Sequence, residues 1–133
     1  MTMPYTKSPE RTVEVGGLRF IVMHRELQGG DGGPTIEVCG HVNGEMKQVL
    51  RFDCFRKAPH YHMPSDNQKS LMLDAKVVGN GVEWSLTQIR THMPEMLATA
   101  GYTDLSRQVD RAVLAKDWTK VRDAVKAVEP AAA

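Results

Sequence analysis

The sequence predicts an α+β domain. An antiparallel sheet of about five strands, made of two N-terminal hairpins and one further short strand, is followed by two to four C-terminal helices packed on one face. Three observations carry that expectation. Polar and apolar residues alternate with period two through the first half, Gly-Gly and Asn-Gly pairs punctuate the alternation, and after Gly81 the apolar period changes to three and four. With 133 residues, 41% hydrophobic and 25% charged, the chain reads as a single domain over residues 1–133, large enough to bury a core. The sheet region is expected over residues 12–78 and the helical region over residues 82–128.

The first strand is Thr12 to Val15, and Gly16-Gly17 then supplies a tight turn in which positive φ costs little. Its return strand runs from Leu18 to about Glu26, with Leu18, Phe20 and Val22 on one face. Gln28 to Pro34 reads as a mobile linker. Its glycines do not form a phosphate loop, because no Gly-Lys-Ser/Thr follows and no helix starts there.

The second hairpin runs from Thr35 to Val42, turns at Asn43-Gly44 and returns through Glu45 to Phe55. A bare two-residue turn would pair Val42 with Glu45 and Ile36 with Arg51, mixing charged and apolar side chains on each face. Shifting by one residue pairs Val42 with Met46, Val38 with Leu50 and Ile36 with Phe52. The buried face sets register strongly, so the shifted pairing is expected, with a longer turn or a bulge. The opposite face then carries Glu37 across from Arg51 and Thr35 across from Asp53, so that Glu37, Cys39, His41, Arg51 and Asp53 share one sheet face opposite the core.

Lys69 to Asp74 is expected as another short strand, and Val77-Val78 with the Gly79-Asn80-Gly81 turn closes the sheet region. Val82, Leu86, Ile89, Met93, Met96, Leu97 and Ala100 then form an amphipathic stripe. Pro94 kinks that helix or opens a second one, and Gly101 stops it. Thr103 or Asp104 is expected to cap a helix buried through Leu105, Val109, Ala112 and Val113. Asp117 is expected to cap a last one along Trp118, Val121, Val125 and Val128, which Pro130 and the trailing alanines end. Trp84 lies off the stripe, as a residue half exposed, covering a pocket or marking a subunit contact.

The chemistry-bearing segment is Arg51-Phe52-Asp53-Cys54 with Pro59-His60-Tyr61-His62-Met63-Pro64. Two histidines at i and i+2 point the same way on an extended backbone. Histidine is the side chain that most readily binds a metal or moves a proton near neutral pH. Catalytic candidates are therefore Arg51, Asp53, His60 and His62. As ligands of a divalent metal such as zinc or iron, the candidates are His60 and His62 completed by His41 and Glu37, with Cys39, Asp53 and Asp66 as further donors. The bland reading is a salt-bridged surface beside a proline-bracketed loop of hydrogen-bonded histidines. His24 and His92 read as structural and solvated, Met93 and Met96 as core filling, and Cys39 as a thiol without a neighbouring base.

The His-x-His pair resembles the first half of a cupin metal motif. That pattern wants a glutamate shortly after and a histidine on a later strand, where this chain has Ser65-Asp66-Asn67-Gln68 and then helices, so no cupin function is carried over. The order of strand, tight turn, Arg-aromatic-Asp and Pro-His-x-His is similar over a short stretch to the TumE-like toxin group, and lacks that group's second histidine cluster.

Seventeen basic and sixteen acidic residues give a net charge of +1, which argues against a dedicated nucleic-acid surface. No run approaches the roughly 20 apolar residues of a membrane helix. Met1 to Glu10 holds no apolar core of a signal peptide, and two cysteines do not make a disulfide scaffold, so a cytoplasmic protein with reduced thiols is expected. Three functions remain: a metal-binding or acid–base enzyme acting on a polar or anionic small molecule, a non-catalytic accessory protein forming a homodimer, and a toxin-like ribonuclease.

Overall fold

The computed structural model describes residues 5–130; Met1 to Pro4 of the expected leader-free start and the trailing Ala131 to Ala133 lie outside the described residues. An antiparallel sheet comes first and helices follow, as the patterning predicts. The strands are β1 (Tyr5–Lys7), β2 (Arg11–Val15), β3 (Leu18–Leu27), β4 (Gly32–Val42), β5 (Glu45–Asp53), β6 (His60–His62) and β7 (Leu71–Met72). Their order is β1-β3-β4-β5-β6-β7, with β2 pairing the first half of β3 beside β1. The described residues therefore hold seven strands where about five were expected. The two added ones, β1 and β6, are three residues each, too short to show a period.

The helices are α1 (Ala75–Val78), α2 (Val82–Thr91), α3 (Met93–Thr99), α4 (Thr103–Gln108), α5 (Arg111–Asp117) and α6 (Thr119–Val128). None is long and apolar enough to cross a membrane. Pro94 breaks the long stripe into α2 and α3 by sitting in the first turn of the second, where its missing N–H costs nothing. Three expectations are corrected. Val77 and Val78 belong to a helical turn, because the Asp74 side chain accepts from Lys76 N and caps it. The helix expected through Val109 is two, since Val109 is extended and Asp110 starts α5 by accepting from Val113 N. Asp117 ends that helix instead of capping the next, whose N-cap is Trp118.

The Gly-rich segment is also not the linker its composition suggests. Gly32, Gly33 and Pro34 are buried residues of β4, paired with Glu26, Arg25 and His24 of β3. Pro34 O accepts from Cys54 N and Gly32 O from Arg56 N, so the chain beyond β5 crosses tightly over Gly33. A Cβ at Gly33 would run into the Cys54 carbonyl oxygen, and the residue also holds φ at +153°. Glycine is needed there for close approach, which is a different property from flexibility.

The register of β4 and β5 reconciles two apparently exclusive pairings. Near the turn the bare two-residue register holds: Val42 pairs with Glu45 and His41 with Met46. A bulge between Val38 and Cys39 then shifts the ladder, so that Val38 pairs with Leu50, Ile36 with Phe52, Glu37 with Arg51 and Thr35 with Asp53. The expected Val42–Met46 pair is thus incorrect, whereas the expected pairs beyond the bulge are present. The extra residue is Val49, fully buried beside Leu50. It lets a tight Asn43-Gly44 turn coexist with apolar pairing further along.

Phe20, Val22, Ile36, Val38, Leu50 and Phe52 face Leu86, Ile89, Met93, Leu97, Leu105, Leu114, Val121 and Val125 in the core. Tyr61 of β6 points into the same layer, its ring 5.0 Å from Trp84 and 6.1 Å from Phe52. Trp84 is half buried there and lines a shallow groove with Met63 and Met96. Alternation then fixes the opposite face. Ile21, Met23 and Arg25 of β3, Thr35, Glu37 and Cys39 of β4, Arg51 and Asp53 of β5, and His60 and His62 of β6 share it.

Gly33→Ala is expected to destabilise the protein by about 2 kcal/mol, through the clash with the Cys54 backbone. A denaturant midpoint equal to the wild type would show that this crossing is not tight.

Candidate metal centre

Asp53 lies at the middle of the polar face with its side chain 1% exposed. Its Oδ1 accepts from Arg25 Nη1 at 3.2 Å and from Thr35 Oγ1 at 3.0 Å. Its Oδ2 accepts from Arg51 Nε at 3.1 Å and lies 3.0 Å from His60 Nε2 and 3.4 Å from His62 Nε2. These groups converge because β5 carries Asp53 and Arg51 two residues apart, β4 sets Thr35 opposite Asp53, and β6 sets His60 opposite Asp53 and His62 opposite Arg51.

Each imidazole is oriented from behind by the main chain. His60 Nδ1 donates to Ala58 O and His62 Nδ1 to Asn67 O, both at 2.8 Å. A carbonyl oxygen can only accept, so both Nδ1 atoms carry the hydrogen, and in the neutral rings both Nε2 atoms present lone pairs. Those lone pairs aim at Asp53, and the three donor atoms lie within 4.8 Å of one another. His62 Nε2 is buried with no hydrogen-bond partner; its 3.4 Å approach to Asp53 is an ion-pair distance without hydrogen-bond geometry.

The Ala58 carbonyl owes its position to Asp31. The Asp31 carboxylate accepts from Lys57 N at 2.9 Å, from Ala58 N at 3.1 Å and from Gly32 N at 2.8 Å. It thereby clamps residues 57–58 against the start of β4. Phe55 forms an apolar wall, its ring 5.5 Å from the His60 ring and 5.6 Å from the Arg25 guanidinium carbon.

Burial raises the Asp53 pKa, but the His60 hydrogen bond, the Arg51 and His60 charges and the Thr35 hydrogen bond outweigh it and bring the pKa down to about 2. The hydrogen bond to Asp53 pushes the His60 pKa above 6.5, against the opposing effect of burial. Cys39, on the same face, is buried and its pKa is raised first by that burial, which leaves it a poor nucleophile.

The structure thus brings together Arg51, Asp53, His60 and His62. It does not bring His41 to them. His41 is exposed near the far turn of β4, six residues from Thr35 and so about 20 Å away along the strand, where it lines a different, open cavity beside Tyr102 and Gln108. Glu37 stays on the correct face, across from Arg51, but outside the converging group. Asp66 is exposed and outside it too. Sequence reasoning missed Arg25 and Asp31, and it placed Thr35 across from Asp53 without giving it a part in the site. Arg25 follows from the ladder once β3 is set against β4, whereas Asp31 acts on backbone N–H groups, which leave no mark in the sequence.

Residues 12–125 match a family described as a domain of unknown function, DUF7700. The chain belongs to that family. No curated protein and no solved structure matches it.

Two consequences are measurable in protein freed of divalent metal. Asp53→Asn leaves two guanidiniums facing a neutral amide and is expected to cost about 3 kcal/mol in urea unfolding. The pH profile follows from the signs of the two shifts. Asp53, depressed to about 2, contributes stability that is present above its ordinary 3.8 and lost as pH falls towards 2. His60, raised above 6.5, contributes stability present below 6.5 and lost as pH climbs through its folded pKa. Stability should peak between about pH 4 and 6.5, and Asp53→Asn should flatten both limbs.

Proposed function

We propose that Asp53, His60 and His62 hold a divalent cation such as zinc or iron, and that the domain is an enzyme acting on a polar small molecule at that cation. The supporting observation is the orientation of the two rings. With both Nδ1–H groups committed to carbonyls, three acceptor atoms face one another in a buried space. One proton on His60 Nε2 relieves the His60–Asp53 pair and leaves His62 Nε2 orphaned. A cation satisfies all three at once.

Two imidazoles and a carboxylate suit zinc or ferrous iron, and three protein donors leave coordination positions for water and substrate. A cation of this kind makes bound water acidic or polarises a substrate oxygen. The protein supplies the rest. Ala58 and Asn67 fix the ring orientations, Thr35 and Arg25 hold Oδ1 of Asp53, and Arg51 occupies one lone pair of Oδ2.

A second reading uses the same atoms without metal. His60 and Asp53, 3.0 Å apart, form an acid–base pair with Arg51 beside it to stabilise negative charge. Elemental analysis of protein purified without a histidine tag separates the two. The metal reading expects about one equivalent of metal and a rise in Tm with Zn²⁺ or Fe²⁺, both lost in His60→Ala and His62→Ala. No bound metal and no thermal shift would leave the acid–base reading standing alone. Asp31→Ala, which touches no ligand, is expected to weaken metal binding by about 10- to 100-fold by freeing the loop behind His60. An unchanged affinity would show that His60 needs no such support.

A further inference from the structure

Arg51 spends only part of its guanidinium on Asp53. Its Nε donates to Oδ2, while Nη1 and Nη2 have no partner among the described residues, and the side chain is 29% exposed. Glu37 stands across the ladder from Arg51 in the next strand, yet no ion pair joins them among the described residues. A fork of N–H donors is thus left facing solvent on the rim of the cluster. Planar donors in this arrangement match the paired oxygens of a carboxylate or phosphoryl group.

Charge points the same way. With a divalent cation seated, Arg51 and the cation bring three positive charges, against two from Asp53 and Glu37. Asp53, whose single charge is already counted, has no lone-pair site left for another donor, because Arg25, Thr35 and Arg51 take three and the cation takes the fourth. Phe55 closes one side with an aromatic ring, which lowers the local dielectric and strengthens attraction for an anion.

We propose that the ligand of this centre is an oxyanion, a carboxylate or a phosphoryl group, held with one oxygen at the cation and another on the Nη edge of Arg51. The inference rests on the metal reading and adds the chemical class of ligand and the residue that selects it. Arg51 acts here by direct contact. A neutral amide of the same shape, which carries no charge and offers one oxygen, is excluded by the loss of the second contact and of the attraction to the surplus charge.

The test uses the full chain saturated with Co²⁺, whose visible spectrum reports a change of ligand at the metal. Acetate, methylphosphonate and neutral acetamide are titrated into wild type, Arg51→Gln and Arg51→Lys, and metal affinity is measured for each in parallel. Acetate, methylphosphonate or both should perturb the wild-type spectrum saturably, and acetamide should not. The ratio of the two anions tells a carboxylate site from a phosphoryl site. Arg51→Gln should bind the preferred anion about tenfold more weakly or worse while still metal-saturated, and Arg51→Lys should fall between. Should Arg51→Gln fail to fold, the lysine variant decides: affinity within twofold of wild type overturns the proposal. Metal binding without any response to either anion also overturns it, and leaves the metal reading intact. Failure to bind metal at all overturns both, and shows up in the metal titration before any anion is added.

Discussion

Keeping one carboxylate charged inside the polar face of the sheet is the constraint on which the rest of the cluster depends. Asp53 is removed from water, which by itself would drive it towards the neutral acid. Partners on four strands reverse that tendency: Arg25 on β3, Thr35 on β4, Arg51 on β5 and His60 on β6. The strands must then be adjacent in that order and in that register, because each donor reaches the same two oxygen atoms. The carboxylate therefore ties topology to chemistry. Losing any one of the four pairings would leave a buried charge short of partners, at a cost larger than any surface ion pair on this protein contributes.

The two faces of the sheet are kept apart by strict alternation, and the bulge at Val49 is what makes alternation compatible with the turn. Without it, the tight Asn43-Gly44 turn would place Arg51 opposite Ile36, and the arginine would be driven towards the helices. With it, Leu50 and Phe52 pack into the core while Arg51 and Asp53 turn outward. The same alternation runs through β6. Tyr61 sits between the two histidines and anchors against Phe52 and Trp84, so one short strand serves the core with its middle residue and the polar cluster with its outer two.

Much of this was legible in the residues, for a reason that can be stated. A buried apolar face leaves a period in the sequence, and that period set the hairpins, the pairing of Glu37 with Arg51 and of Thr35 with Asp53, and the change from sheet to helices. What was illegible has no period. β6 is too short to alternate more than once, and Gly32-Gly33-Pro34 has the composition of a loop although its backbone is extended and buried. The separation of Val109 from α5 rests on one capping carboxylate, Asp110. His41 shares a face with Asp53, which alternation makes readable, but it lies six residues along β4 from the position opposite Asp53, about 20 Å away. Arg25 was missed because the pattern past Val22 becomes ambiguous just where β3 passes Asp53.

The histidines are held from behind by main-chain carbonyls, those of Ala58 and Asn67, and this places the specification of the site in an unusual form. Every residue, proline included, offers the same carbonyl with the same reach, so the side chains at positions 58 and 67 carry little of the information. What matters is the path length of the chain. The segment from Cys54 to Pro59 has to leave β5, meet the Asp31 carboxylate and re-enter the sheet at His60 with one carbonyl aimed inward. An inserted or deleted residue there would rotate that carbonyl away even if every named side chain were retained. Within this domain, spelling at those positions is free to drift while counting is not.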